Sequence, residues 1–397
     1  MNLLIFLYLL AIAPKLLWDR IRKGKKHPSF LQRMGFKIPK ATGPVIWIHA
    51  VSVGEVKAVQ PLFRALRKRE KGAFFLITTT SATGQAEAHR SLAEADAFAY
   101  LPIDFSWTVR RWVQKLNPKM FLLVESDFWA HLLAALKKQG THVVLVSGKM
   151  SEKSARRFHW FSSFSKKLFS HFDRLCIQNE EHFQRFLPFV ADPSRLLITG
   201  NLKLDLEPQY TGQSLDFPSQ QPVIAITCTH PPEEELLLDA LKGGNWFIIL
   251  APRHPERFEE VARLLLKKKL PFSRWTKRET KGNLLLVDAM GQLPICYAHS
   301  RLAILGGSYV EHIGGHNVLE PCLYGTPVLF GPHTKGQSEL TARAIESGAG
   351  MRVPLAHLRQ SVTAFFSDPS REQAMRERVA LFVRNSRGAT ARTLDAL

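Results

Sequence analysis

Cysteine is scarce and scattered, with Cys176, Cys228, Cys296 and Cys322 far apart in a chain of 397 residues. No Cys-x-x-Cys pair suggests a zinc site or a redox couple, and the four read as buried thiols in a reducing compartment. Other chemical signatures are missing as well: there is no Gly-x-x-x-x-Gly-Lys loop, no His-Glu-x-x-His helix and no Asp-x-Asp pair. P-loop and zincin chemistry are thereby excluded, and metal dependence has no support in the sequence. Heptads, solenoid periods and low-complexity tracts are absent, so the chain is neither a coiled coil nor a repeat array. Acidic residues are also few, 34 against 54 lysines and arginines, which leaves a formal charge of +20. Such a surface attracts any polyanion. Without an RNA-binding aromatic motif or a helix-turn-helix pattern, nucleic acid is not the expected partner.

What is present begins with an apolar run, Leu3 to Ala13, followed at once by Lys15, Arg20, Arg22, Lys23, Lys25 and Lys26. A cleaved secretory signal would carry its charge before the apolar core, so this order reads instead as membrane attachment over residues 1–26. With Leu16, Leu17 and Trp18 the run approaches the roughly 17–25 residues of a spanning helix, but Pro14 and Lys15 interrupt it. Spanning and lying in the interface both stay open. If the run spans, the basic cluster places the body on the cytoplasmic side.

The length favours two domains. Short apolar runs, each followed by a helical stretch, recur at Val45–Ala50, Ala73–Thr78, Met120–Val124, His142–Val146 and Arg174–Ile177. A second series follows at Val223–Thr227, Trp246–Leu250, Leu284–Val287, Leu302–Leu305 and Pro327–Phe330. Continuous apolar strands alternating with helices predict parallel sheets of the doubly wound α/β kind. The stretch between the series is rich in Pro, Gln and Ser, which is linker chemistry. The expected organisation is an N-terminal Rossmann-like domain over 27–205, a linker over 206–220, a second Rossmann-like domain over 221–370 and a charged helical tail over 371–397, with the two domains facing across a cleft.

The densest motif is Gly306-Gly307-Ser308-Tyr309-Val310-Glu311-His312-Ile313-Gly314-Gly315-His316-Asn317-Val318-Leu319-Glu320-Pro321. Gly314-Gly315 would let backbone approach a ligand, and a helix start near Asn317 would offer N–H groups and a positive dipole to phosphate, with Glu320 placed for ribose hydroxyls. An ordinary tight loop before a helix explains the same residues. Pro252-Arg253-His254-Pro255 follows a strand, where ligand loops of open α/β sheets sit; a solvated turn is the plainer reading. Glu55, after Ser52-Val53-Gly54, is expected at a helix start, where the dipole favours the ionised carboxylate and lowers its pKa. Glu125 ends a strand with Asp127 two residues on, and Lys203 precedes the linker as a cation able to stabilise a departing phosphate. Helix capping or loop ion pairs account equally well for each carboxylate alone.

Taken together, Ile46 to Glu55, Glu125-Ser126-Asp127-Phe128-Trp129, Gly200-Asn201-Leu202-Lys203, Ala251 to Arg257, the Gly306 to Pro321 run and Phe330-Gly331-Pro332-His333-Thr334 resemble the Kdo transferase family. These enzymes transfer 3-deoxy-D-manno-octulosonic acid (Kdo). The resemblance runs in order along nearly the whole chain. It implies a GT-B fold, CMP-Kdo as donor, a lipid A precursor as acceptor, an inverting single step, and attachment to the cytoplasmic face of the anionic inner membrane. It also implies Glu55 as catalytic base, Glu125 and Lys203 as transition-state stabilisers, and Pro252, Arg253, Met290, Gly291, Gln292, Asn317, Val318, Leu319 and Glu320 as CMP-binding residues, with no metal. The chain departs from the family pattern at Asp127 and Gln292, where Glu is frequent, at His131, where Asn is usual, and at Lys149, where Arg is common. The rival reading on the same fold is an enzyme acting on a UDP-sugar, as transferase or epimerase. Acceptor phosphates would find Lys149, Arg156, Arg157, Lys166 and Lys167 in the N-terminal domain, residues that a solvated or lipid-facing surface explains as well.

Overall fold

The computed structural model describes residues 2, 6, 30–207, 221–277 and 282–397. The expected anchor over 1–26, apart from Asn2 and Phe6, and the expected linker, apart from Leu206 and Glu207, lie outside the described residues. Among the described residues no helix is long and apolar enough to cross a membrane. The chain divides into two units, the first made of the residues up to Leu206 together with Arg387–Leu397, the second of Glu207–Ser386.

The first unit holds β1 (Val45–His49), β2 (Phe74–Thr79), β3 (Ala97–Tyr100), β4 (Pro118–Val124), β5 (His142–Gly148), β6 (Arg174–Ile177) and β7 (Leu196–Ile198) in the order β3-β2-β1-β4-β5-β6-β7. All neighbours run parallel. The continuous apolar runs follow from burial on both faces: Val45 and Trp47 enter one core, while Ile46 and Ile48 enter the other. Trp47 packs against Trp112 at 5.7 Å and edge-on to Phe121 at 5.2 Å, and its indole N–H donates to Thr78 Oγ1. Helix α1 (Val53–Arg69) starts at Ser52, whose side chain accepts the Glu55 N–H, and it buries Val56, Val59, Leu62, Phe63 and Leu66 at helical spacing. Helices α2 (Glu152–Trp160) and α3 (Ser162–Phe169) follow β5.

The second unit holds β8 (Val223–Thr229), β9 (Phe247–Pro252), β10 (Ser273–Arg274), β11 (Leu284–Leu286), β12 (Leu302–Leu305), β13 (Val328–Phe330) and β14 (Gly350–Arg352) in the order β10-β11-β9-β8-β12-β13-β14, again parallel. Helix α4 (Glu233–Ala240) follows β8, and the short α5 (Leu319–Cys322) ends the glycine-rich run. The first sheet grows outward from β1 through β2 to β3 and then restarts on the other side of β1; the second does the same from β8, except that β11 lies between β9 and β10. The reversals lie between β1 and β4 and between β8 and β12. Ligands of open α/β sheets bind outside the carboxyl ends of strands at such switch points.

The tail is two helices rather than one helical segment. Helix α6 (Pro369–Ser386) stays with the second unit, and α7 (Ala389–Ala396) belongs to the first. The break falls at Gly388, whose φ of 96° is left-handed. Asp205 fixes the return by accepting the N–H of Gly388 at 2.7 Å and that of Thr390, and Arg392 Nε donates to the Thr199 carbonyl at 2.9 Å.

Candidate active site

At the switch point of the first sheet, the chain leaving β1 carries Ser52 and Glu55, and the chain leaving β4 carries Glu125 and Asp127. Glu55 accepts the Val51 N–H on Oε2 at 2.8 Å and the Ser52 hydroxyl on Oε1 at 3.1 Å. Glu125 is buried at 2% exposure, and its φ of 67° is left-handed, a conformation that costs a non-glycine residue about 1–3 kcal/mol. Two lysines hold it: Lys203 Nζ lies 2.6 Å from Oε1, and Lys149, just past β5, pairs with Oε2. The Lys203 stem passes Gly54, whose missing Cβ would lie 4.0 Å from Cε. Thus Glu55, Glu125 and Lys203, far apart in sequence, come together at the carboxyl edge of the sheet around β1 and β4, and Lys149 joins them. Phe128, packed on Phe169 at 5.1 Å, anchors the loop that carries Glu125.

The electrostatics of the two carboxylates differ in sign. Burial pushes the Glu55 carboxyl above its ordinary value, the Val51 N–H opposes that, and the negative charge of Glu125 adds to the rise. This corrects the expected lowering by the helix dipole: removal from water outweighs the helix start. For Glu125, burial again opposes ionisation, but Lys203 and Lys149 outweigh it and hold the carboxyl below its ordinary value. One carboxylate is thus fixed as an anion, and its neighbour is poised nearer neutrality.

His49 at the end of β1 also belongs here. It is fully buried, its Nδ1 lies 3.0 Å from both Thr78 O and Thr78 Oγ1, and its Nε2, without a hydrogen-bond partner, lies 4.0 Å from Asp127 Oδ2. Asp127 also accepts the Trp129 indole N–H at 3.1 Å. His131 works locally: its N–H and that of Leu132 bond the Asp104 carboxylate at 3.0 and 2.8 Å.

At the switch point of the second sheet, loops leaving β8, β9 and β12 converge. Pro252 is buried as the last residue of β9, and Arg253 is exposed beyond it, its N–H donating to the Thr229 carbonyl at 3.2 Å. Asn317, Val318, Leu319 and Glu320 follow β12. The expected helix dipole at Asn317 is corrected, since α5 has only four residues and the Asn317 side chain caps the Leu319 N–H at 3.0 Å. The glycine pair approaches the chain itself: Gly314 O accepts the Gly336 N–H at 2.8 Å, and a Cβ on Gly314 would lie 3.1 Å from that nitrogen. Glu320 is half-buried, near enough to Cys228 and Tyr297 to help raise both pKa values. Met290 and Gly291 form an exposed turn after β11, two strands from β8, and Gln292, half-buried, follows it.

Sequence reasoning missed the groups that organise this edge. Glu233, fully buried, accepts N–H bonds from Gly307 at 2.6 Å and from Tyr309 and His230 at 2.9 Å, tying the glycine-rich loop to α4. Glu234 bonds the Thr229 hydroxyl at 2.7 Å and Arg257 at 2.5 Å. His230 and His316 meet through their Nε2 atoms at 2.9 Å. The available signal was position: His230 directly follows β8, and His316 stands inside the glycine-rich run.

A family profile described as 3-deoxy-D-manno-octulosonic-acid transferase (kdotransferase) matches residues 28–206. The 3-deoxy-D-manno-octulosonic acid transferase of Bordetella pertussis is 34% identical, with 96% of this chain and 94% of the relative covered. That of Chlamydia muridarum is 32% identical over 98% of this chain and 94% of the relative. Among solved structures, a glycosyltransferase from Rickettsia africae has a TM-score of 0.64 at 14% identity, covering 89% of this chain and 97% of that one. A UDP-GlcNAc 2-epimerase from Neisseria meningitidis, bound to UDP-GlcNAc, reaches 0.63 at 15% identity over 89% of this chain and 99% of that one. The structural matches establish a shared fold, whereas the full-length sequence matches go further: this chain belongs to the 3-deoxy-D-manno-octulosonic acid transferase family of glycosyltransferases.

Proposed function

We propose that this enzyme transfers Kdo from CMP-Kdo to a hydroxyl of a lipid A precursor. The observation that carries the proposal is the meeting of Glu55, Glu125, Lys149 and Lys203 at the switch point of the first sheet, in a chain of this family. In the proposed step the acceptor oxygen attacks the anomeric carbon, Glu55 takes the hydroxyl proton, and the C–O bond to CMP breaks with its electron pair leaving on the phosphate. One displacement inverts the anomeric centre. Glu125 and Lys203 stabilise the transition state, Glu125 chiefly by holding the two lysines. Pro252, Arg253, Met290, Gly291, Gln292 and Asn317 to Glu320 bind CMP, and Arg253 offsets charge on the leaving phosphate without a metal. In the test, purified enzyme is incubated with CMP-Kdo and a tetra-acylated lipid A precursor, and the lipid is read by mass spectrometry. A mass gain of one or more Kdo units is expected; turnover of UDP-sugars in place of CMP-Kdo would overturn the reading.

We also propose that the enzyme works on the cytoplasmic face of the anionic inner membrane, held by the N-terminal apolar-basic stretch as a GT-B body with a membrane anchor. A feature of the first unit supports attachment: Trp160, Phe161 and Phe164 at the α2–α3 junction are 80%, 66% and 47% exposed, with Arg156, Arg157, Lys166 and Lys167 exposed around them. Aromatic rings beside cations suit a lipid–water boundary. Flotation with vesicles should show binding that rises with anionic lipid content.

A further inference from the structure

The histidines at the switch point of the second sheet carry an inference that rests on this unit being the donor site. His230 leaves β8 and His316 leaves the loop after β12, the two strands that flank the reversal. Their Nε2 atoms are 2.9 Å apart, their ring planes differ by 10° and their centroids are 5.2 Å apart. The centroid separation exceeds the N···N distance by about two ring radii, so the rings meet nose to nose in a shared plane. Such a contact needs one hydrogen between the nitrogens, donated by one ring and accepted by the other. The site is built for it: a Cβ at Gly307 would lie 2.8 Å from His316 Nε2, and the loop holding Gly307 is fixed by the Glu233 carboxylate.

This geometry accepts one further proton without moving. The acceptor ring already carries its hydrogen on Nδ1, so the added proton goes to the free Nδ1 of the donor ring, which leaves the N–H···N bond intact and makes it charge-assisted. A second proton would set two N–H groups head to head, so the pair takes only one. The surroundings oppose that proton while the site is empty. From the loop after β9, Arg253 and His254 bear on both rings and Arg257 on His230; from α4, Glu234 favours the charged form of His230, and Glu233 bonds its backbone N–H. Burial, joined by His230, Arg253 and His254, pushes His316 down to about 4, and burial followed by His254 lowers His230. A phosphoryl or carboxylate anion arriving beside Arg253 would cancel the cationic repulsion and stabilise a charged pair.

We infer that His230 and His316 form a proton-sharing pair that binds the anionic part of the nucleotide-sugar donor and takes up one proton from solvent as the donor enters. The sign follows from linkage. A group whose pKa rises on binding adds affinity at low pH, and that affinity is lost as pH rises through its pKa in the complex.

The probe is cytidine 5′-(methyl phosphate), a phosphodiester whose single charge does not titrate between pH 5 and 8. Calorimetry in buffers of different ionisation enthalpy, near pH 6, should show uptake approaching one proton per bound probe. Affinity should fall with rising pH, by up to about tenfold per unit at the steepest. His316→Asn and His230→Gln, checked for folding by circular dichroism, should each abolish the uptake and flatten the pH dependence. Binding without proton uptake would overturn the inference while leaving the donor site standing, as would uptake that persists in both variants. Failure of the probe to bind at any pH would instead overturn the donor-site reading, and the inference with it.

Discussion

Glu55 accepts two hydrogen bonds and lies under the field of a second carboxylate, so its behaviour can be dissected by single substitutions. Glu55→Gln keeps the shape but cannot take a proton, and it should lower kcat by about 10²- to 10⁴-fold. CMP affinity, read by calorimetry, should stay unchanged. Because burial and Glu125 raise the Glu55 pKa, the acid limb of the pH–rate profile should lie above the ordinary glutamate value of 4.5. Activity falls as pH drops through that limb. Glu125→Gln removes the neighbouring negative charge and leaves Lys149 and Lys203 unpaired, and both changes favour ionised Glu55. The limb should therefore move to lower pH as overall activity falls; a limb that stays in place would show that Glu55 is not the titrating base.

Among elements, the glycine-rich loop is held by a side chain outside it. Glu233→Ala leaves the N–H groups of Gly307, Tyr309 and His230 without their carboxylate, and buried donors left unsatisfied cost about 1–3 kcal/mol each before relaxation. Urea unfolding should show a net loss of roughly 2–4 kcal/mol, a size typical of a broken buried network, with CMP binding weakened in the same variant. The strands that were readable from sequence are those buried on both faces, such as β1, β4, β8 and β12. The four that were not, β3, β7, β10 and β14, are the edges of the two sheets, and their short segments Ala97–Tyr100, Leu196–Ile198, Ser273–Arg274 and Gly350–Arg352 are only partly buried. An edge strand has one neighbour and needs no continuous apolar run, so it leaves little trace. For the candidate site, local pattern marked positions, and the roles came from the family resemblance. Glu55, Glu125 and Lys203 could be singled out because each stands next to a strand end or a turn, but their convergence depends on strand order, which no local pattern encodes. Glu233, His230 and His316 act through contacts between loops far apart in sequence.

For the whole molecule, the basic groups proposed at the phosphate lead us to expect turnover that persists in excess EDTA; loss of activity restored by Mg²⁺ would count against a metal-free mechanism. The tail sets a second expectation. Asp205 receives two backbone N–H groups from the returning segment, and Asp205→Asn offers one oxygen where two were used, so stability should drop by about 1–3 kcal/mol in thermal or urea unfolding. The same return has a consequence for biosynthesis. The first unit comes off the ribosome early but lacks Arg387–Leu397, the segment carrying α7, which is separated from Leu206 by the 180 residues of Glu207–Ser386. At about 5–20 residues per second that interval lasts roughly 10–35 seconds. Throughout it the place in the core that receives Ala389 stays unfilled, so proteolysis of stalled nascent chains should find the first unit labile until Arg387–Leu397 has been synthesised.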